Sequence, residues 1–285
     1  MMFFDTHAHL NFKRLTKILP EVIDQAHQSG VKYMVVPGTD EDSSQKAVDI
    51  ADQNANIYAA VGIHPHHAFE TADQEEGRTL DSRIQILEKL LQIPNNKIVA
   101  IGEIGLDRHS YEETKYQNYH VDGSFMNRQK ALFVAQLQLA KTYKLSVILH
   151  NREAKDDFLG LLNDNWDQFF SGRIVFHCCE PDETLLKYAT DHNIFIGVDG
   201  DITYNEEKQR FVKQIPTELL LLETDSPFLL PEPLRTEKKY PNTPANIPLI
   251  AEFIAGLRGE SLNDLAKTTT DNAMKLFCID PVPSS

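Results

Sequence analysis

Short apolar runs alternate with amphipathic helical patterns along this chain, and that alternation limits the fold more than any other feature of the sequence. The first run, at 3–5, precedes a helical pattern over 15–28 that Gly30 closes. The run at 31–36 leads to a helix over 42–53, 57–61 to 78–91 after a polar loop, and 97–101 to 127–143 after a long loop. The run at 145–149 leads to 154–162, 173–176 to 183–190, and 194–196 to 206–213. The last, at 219–222, leads through a Pro-rich loop to 247–257. Strand-length runs followed by helix-length periodicity imply parallel strands joined by right-handed crossovers. Eight such units fit a closed (β/α)8 TIM barrel, an α/β fold of ordinary size at 285 residues. An open doubly wound sheet is the competing arrangement, but no Gly-rich dinucleotide turn follows the first strand. The stretch 261–277 reads as one or two extra C-terminal helices packed on the outside. No segment rich in Gly, Ser or Pro marks a linker, so residues 1–285 are expected to form a single domain.

In a barrel of this kind, functional side chains sit at the C-terminal ends of strands. Here those ends hold metal-binding types: His7 and His9 after the first strand, Glu103 after the fourth, His150 after the fifth, His177 after the sixth, and Asp225 after the eighth. His7 and His9 are two apart and project to one side if the pleat continues. Each residue alone has an ordinary explanation. Glu103 could be a solvated loop charge, His150 and His177 hydrogen-bonded core histidines, and Asp225 the cap of a turn before Pro227. Converging on one barrel axis, four imidazoles and two carboxylates would be unsatisfied or mutually repelling without a cation. Six ligands exceed one tetrahedral zinc and suit two ions sharing a carboxylate, for which Glu103 is the natural bridge. Mixed nitrogen and oxygen ligands point to zinc or manganese, whereas magnesium prefers more oxygen.

Composition bears on the partners such a site could have. With 41% apolar and 25% charged residues, disorder is not expected. No apolar run approaches the roughly 20 residues of a membrane helix, and the N-terminus lacks the pattern of a secretory signal, so no membrane association is expected. Cys178, Cys179 and Cys278 show no framework spacing, and a reduced, cytoplasmic setting is the default. A net charge of −14 offers no basic surface in bulk for nucleic acid. It does not forbid a nuclease whose active site carries bound cations, but it predicts weak, salt-sensitive binding to long duplex.

Six segments, in order, resemble the TatD-type deoxyribonucleases of the metal-dependent hydrolase (amidohydrolase-like) superfamily. They are Asp5-Thr6-His7-Ala8-His9, Gly62-Ile63-His64-Pro65-His66, Gly102-Glu103-Ile104-Gly105-Leu106-Asp107, Leu149-His150-Asn151-Arg152, Phe176-His177-Cys178 and Glu223-Thr224-Asp225-Ser226-Pro227. The segments around Leu257-Arg258-Gly259 and Thr269-Thr270-Asp271-Asn272-Ala273 also look like the family's C-terminus, so the resemblance covers nearly the whole chain. It implies a metal-dependent phosphodiesterase, typically a DNase with 3′-5′ exonuclease activity on single-stranded DNA ends, using two divalent ions (Mg2+, Mn2+ or Zn2+). Carried over by position, His7, His9, Glu103, His150, His177 and Asp225 would be metal ligands. Asp225 would also be the general base, with Glu103 its catalytic partner as the bridge. His64 and Arg152 match positions near the substrate phosphate, where an Arg fork and an imidazolium can donate; His64 could instead be a turn residue fixed by Pro65. His66 and His67 read as structural or solvent-facing. A monomer is the expected state.

The chain departs from the family pattern in three places. After Cys178 the usual aromatic residue, Ser or Thr, and Gly are replaced by Cys179, Glu180 and Pro181; Glu180 would repel a phosphate unless it faces away. The usual Arg-Asn-Glu-Pro stands as Pro241-Asn242-Thr243-Pro244, with Lys238 and Lys239 just before. The loop 108–126 is longer than expected and carries Tyr111, Tyr116, Tyr119, His109 and His120. Its tyrosines could stack bases, but tyrosines in a long loop more often pack on their own barrel. The alternative reaction is hydrolysis of a C–N or ester bond of a small molecule, as elsewhere in the superfamily. Many of those relatives bridge their metals with a carboxylated lysine at the fourth strand, where this chain has Glu103. A non-catalytic partner keeping the fold is a third reading, disfavoured because unused buried charges destabilise.

Overall fold

In the computed structural model, which describes residues 1–72, 78–94 and 96–280, each predicted apolar run is a strand. They are β1 (Phe3–Asp5), β2 (Val31–Pro37), β3 (Ile57–Val61), β4 (Ile98–Asp107), β5 (Ser146–Arg152), β6 (Ile174–Phe176), β7 (Phe195–Val198) and β8 (Leu220–Leu222). All eight lie in one sheet in chain order, each pairing in parallel with the next. At the seam Thr6 N donates to the Leu222 carbonyl at 3.1 Å, and Ala8 bridges Ser226 in parallel. The result is a (β/α)8 barrel, as the alternation predicts.

The helices are α1 (Lys13–Thr16), α2 (Leu19–Gln28), α3 (Glu41–Gln53), α4 (Leu80–Leu91), α5 (Gly123–Tyr143), α6 (Lys155–Asp164), α7 (Glu183–His192), α8 (Glu206–Val212), α9 (Ile247–Arg258) and α10 (Leu262–Phe277). Their ends follow local chemistry. Asp40 and Ser43 form a reciprocal capping box on α3, Asp122 caps α5 through the Phe125 N–H, and Gly259 closes α9 at φ +68°. The single helix predicted over 15–28 is two, because Pro20 lacks the N–H an interior position needs and instead sits in the first turn of α2. The predicted polar loop after β3 contains a 3-10 turn over Pro65–Glu70 and a two-residue ladder of Thr71–Ala72 with Arg78–Thr79.

Two further differences matter for the site. β4 runs to Asp107 rather than ending near residue 101, so Glu103 lies inside the strand. Gly105, at φ +149°, serves close approach: a Cβ there would stand 1.9 Å from the His150 carbonyl oxygen on β5. The tail 261–277 is one helix, and its end does not lie on the outer wall alone. Inward-facing Phe4, Tyr33, Ala60, Ala100, Ile148, Val175, Phe195 and Leu221, drawn from every strand, form an apolar layer with Ala273, Leu276 and Phe277 of α10. Phe277 packs on Phe4 at a ring separation of 5.9 Å. A barrel of short strands leaves an apolar floor, and α10 removes it from water; the opposite, C-terminal rim stays open. No helix among the described residues is long and apolar enough to cross a membrane.

Candidate metal centre

The rim is organised from β1 and β8. Asp5, the last residue of β1, accepts from the backbone N–H of His7 (3.1 Å) and of Thr224 (3.0 Å), and from Thr224 Oγ1 (2.6 Å). One carboxylate therefore ties the end of the first strand to the end of the last. Burial pushes the Asp5 carboxyl up to about 7, even though these three donors favour its charged form. Beyond it, Asp225 N donates to the His7 carbonyl (2.9 Å) and His9 N to that of Ser226 (2.8 Å). The extended path that follows turns both imidazoles inward, with their Nε2 atoms 3.2 Å apart.

Glu103, 3% exposed, stands between two groups of side chains. Its Oε2 lies 3.5 Å from His7 Nε2 and 3.7 Å from His9 Nε2, while Asp225 Oδ1 lies 3.8 Å and 3.4 Å from the same two nitrogens. Such separations are the edges of a tetrahedron whose centre is roughly 2.0–2.2 Å from each atom, the length of bonds from zinc to nitrogen and carboxylate oxygen. Its other oxygen, Oε1, lies 2.8 Å from His150 Nδ1, 3.6 Å from His64 Nε2 and 3.7 Å from His177 Nε2. All six sequence-predicted ligands thus meet at one place, and the His7 and His177 rings stack at 3.5 Å.

Charge around Glu103 is divided. Burial opposes its ionisation, but His64, His177 and hydrogen bonds with His150 and His7 outweigh this and hold the carboxyl well below its ordinary value. Burial disfavours charge on His150 and His177 as well; Asp107 and Glu103 lift the first to about 9, and Glu223 and Glu103 lift the second to about 10. His7 and His64 are pushed down, first by burial and then by their cationic neighbours His177 and His150. The residues fit a cation on the geometry itself. Two buried imidazole nitrogens face each other across 3.2 Å with carboxylate oxygens of Glu103 and Asp225 around them. Groupings able to hold a metal ion among the described residues are His7–His9–Asp225, Glu103–His150–His177, His7–His177–Glu223 and His64–Asp107–His150.

Two members of these groupings had no role in the sequence reading. Asp107 is buried, with Oδ2 3.3 Å from His150 Nε2 and accepting from Tyr111 Oη at 2.6 Å. The signal for it was the strand period: positions 103, 105 and 107 share one face of β4. Glu223 is buried one step below Asp225, 3.0 Å from His177 Nδ1, and accepts from Cys178 N at 2.6 Å. Gly197 makes room for it, since a Cβ at 197 would stand 2.4 Å from Glu223 Oε2. Asp225 and Cys178 both leave their strands in the left-handed region, at φ +49° and +44°, which turns the following backbone out of the barrel wall.

The remaining predicted residues line a cavity of about 650 Å3 above Glu103. His64 does begin the turn at Pro65: its Nδ1 accepts from His66 N at 3.1 Å, which leaves the proton on Nε2, facing Glu103. It is therefore a neutral donor rather than an imidazolium. Arg152 lies over the Tyr111 ring at 5.3 Å and donates to its Oη at 3.2 Å. Glu180 does not face away; it lines the cavity and is pinned by Asn151 Nδ2 at 2.9 Å. Lys208, only 2% exposed, reaches the same wall between Asp199 (2.9 Å) and Asp201 (2.7 Å), a buried cluster the sequence reading missed. In the long loop, Tyr116 and Tyr119 pack on Phe69, each at 5.3 Å, so they serve their own barrel; Tyr111 reaches the cavity. His67 bonds to Tyr116 and His66 to Thr114, in structural roles. The divergent Pro241–Pro244 segment is structural too. Buried Asn242 donates to the Thr224 carbonyl at 3.0 Å, bracing the strand end that presents Asp225.

A family profile described as TatD related DNase matches residues 4–278. The chain is 34% identical to an uncharacterized metal-dependent hydrolase, YabD, of Bacillus subtilis, over 98% of this chain and 100% of that one. It is 33% identical to the 3′-5′ ssDNA/RNA exonuclease TatD of Erwinia tasmaniensis, over 96% of this chain and 99% of the relative. Among solved structures, the TatD homologue YJJV of Escherichia coli superposes with a TM-score of 0.84 at 28% identity, covering 98% of both chains.

Proposed function

Because this chain belongs to the TatD-related DNase family of metal-dependent hydrolases, we propose that it removes nucleotides from the ends of single-stranded DNA by hydrolysing phosphodiesters at a two-ion centre. The observation that carries this reading is Glu103, whose two oxygens address two separate sets of imidazoles. His7, His9, Asp225 and Glu103 Oε2 would hold one divalent ion; His150, His177 and Glu103 Oε1 would hold the other. The donor set favours zinc or manganese over magnesium. When bound, such ions supply Lewis acidity toward a phosphoryl oxygen and ease deprotonation of water at neutral pH.

The chain's own groups do the rest. Asp225 is half-buried at the cavity floor and takes the proton of the attacking water, oriented by the left-handed turn that presents it. His64 donates its Nε2 proton to a phosphate oxygen. Arg152, held by Tyr111, offers its fork to the same group, and its stacked, pre-ordered guanidinium loses little freedom on binding. Glu223 fixes the His177 ring, and Asp107 fixes His150, in the way carboxylates commonly orient ligand imidazoles.

The test is product analysis. Protein stripped with EDTA and repleted with Mn2+ or Mg2+ should release mononucleotides from the 3′ end of labelled single-stranded DNA. Turnover of carboxylic esters or cyclic amides with no nucleotide release would replace this reading by the C–N or ester hydrolase.

A further inference from the structure

Phe228 is a large apolar ring left 44% exposed three residues beyond Asp225, on the lip of the cavity. Exposed aromatic rings lose the hydrophobic stabilisation that burial gives, so one placed at a catalytic mouth points to a ligand that covers it. It does not stand alone. Phe12 lines the same lip, meets Phe228 edge to face at 6.0 Å, and is itself stacked on the His9 ring at 4.3 Å. The pair therefore forms a rigid platform rooted on a residue of the metal centre.

The charge beside the platform runs against that of the molecule. Lys13, Arg14 and Lys17 lie within five residues after Phe12; all three are exposed, and none is paired with a carboxylate among the described residues. No Asp or Glu occurs between His9 and Pro20, in a chain whose net charge is −14. Across the mouth, the loops after β4 and β6 place Glu113 and Glu180 on the cavity wall. The segment that follows Phe12 is thus cationic, while the loops after β4 and β6 add carboxylates to the wall that also carries Arg152.

Resting on the phosphodiesterase reading above, we propose that the Phe12–Phe228 platform stacks the base of the nucleotide being removed, and that Lys13, Arg14 and Lys17 carry the single-stranded backbone next to it. Stacking is indifferent to base identity, and a platform open on one side takes an unpaired base but not one inside a duplex. Single-stranded nucleic acid is thereby selected without base-edge contacts.

Single-stranded oligonucleotides with 2-aminopurine at the 3′ end test this on metal-free protein, where no cleavage occurs. Binding to the native chain should quench the fluorophore, Phe228→Ala should abolish the quench, and Phe228→Tyr should restore it. In metal-repleted protein, Phe228→Ala should raise KM for a 3′ base-bearing end about tenfold with kcat little changed. An oligonucleotide with an abasic 3′ end should show no difference between the two proteins. The Lys13→Ala, Arg14→Ala, Lys17→Ala variant should reduce the slope of log affinity against log salt by about 2. Both alanine variants change exposed side chains, and an unshifted melting curve confirms their folding. Unquenched 2-aminopurine on native protein, a quench that survives Phe228→Ala, or an unchanged salt slope overturns the proposal alone. Native protein that neither binds nor cleaves any oligonucleotide overturns the phosphodiesterase reading with it.

Discussion

At the scale of single residues, groups that contact the substrate and groups that act through a ligand should separate cleanly in experiment. Asp225→Asn keeps the size and the turn of the side chain but removes its basicity. It is expected to lower kcat by about 10²–10⁴-fold with little change in the melting temperature of the metal-free protein, read by initial rates and calorimetry. A large loss of thermal stability instead would make Asp225 a structural ligand. Glu223 lies behind His177, so Glu223→Gln should act through the metal: affinity measured by competition with a chelator should fall about 10–100-fold. Unaltered affinity would refute that orienting role. The residues that converge on Glu103 were legible in the sequence because each is of ligand type and stands within a few residues of the end of an apolar run. Asp107 and Glu223 escaped for a physical reason. Their partners are the far nitrogens of His150 and His177, and the sequence does not say which side of an imidazole meets which carboxylate.

At the scale of elements, the strand–helix alternation was legible because buried parallel strands need continuous apolar runs, whereas helices need one apolar stripe. Boundaries were less so. β4 and β5 overrun their apolar cores, at Ile98–Asp107 and Ser146–Arg152, since their upper halves face a polar cavity and carry polar residues while still pairing as strands. Nor did the sequence show that α3 and α4 are joined by a buried ion pair. Arg83, fully buried in α4, donates from Nε and Nη2 to the two oxygens of Glu41 at 2.7 and 2.8 Å. Removing one partner of such a pair costs about 3–5 kcal/mol, so Glu41→Gln should lower stability by about 3 kcal/mol at pH 7 in denaturant unfolding. Burial opposes the charge on Glu41, but Arg83 outweighs it and lowers the folded-state value below that of the unfolded chain. A depressed carboxyl contributes its stability above the unfolded value, about 4.3, and loses it as pH falls through the folded one. The gap between wild type and Glu41→Gln should therefore be widest near neutrality and close below about pH 4. A gap constant with pH would remove this account.

For the whole molecule, the bottom of the barrel and its mouth face different problems. The floor is apolar and closed by α10, so its stability is independent of ions. The mouth gathers buried Glu103, Asp107 and Glu223 with His7, His9 and His177, and keeping so many ionisable groups in one place is costly without compensating charge. A bound cation would stabilise the folded chain by mass action, since the six proposed ligands, spread over residues 7–225, are not assembled in the unfolded state. At 100 times the dissociation constant the gain is about 2.7 kcal/mol per ion, which for a chain of this size corresponds to a rise of roughly 5 °C. Melting temperature should therefore climb with the logarithm of Zn2+ or Mn2+ concentration and fall back on chelation. Glu103→Gln, which leaves the floor intact but would weaken both halves of the proposed centre, should flatten that dependence. Were the melting temperature of the native chain indifferent to these ions, and no metal retained on dialysis, the convergence of side chains at the mouth would need a cause other than a cation.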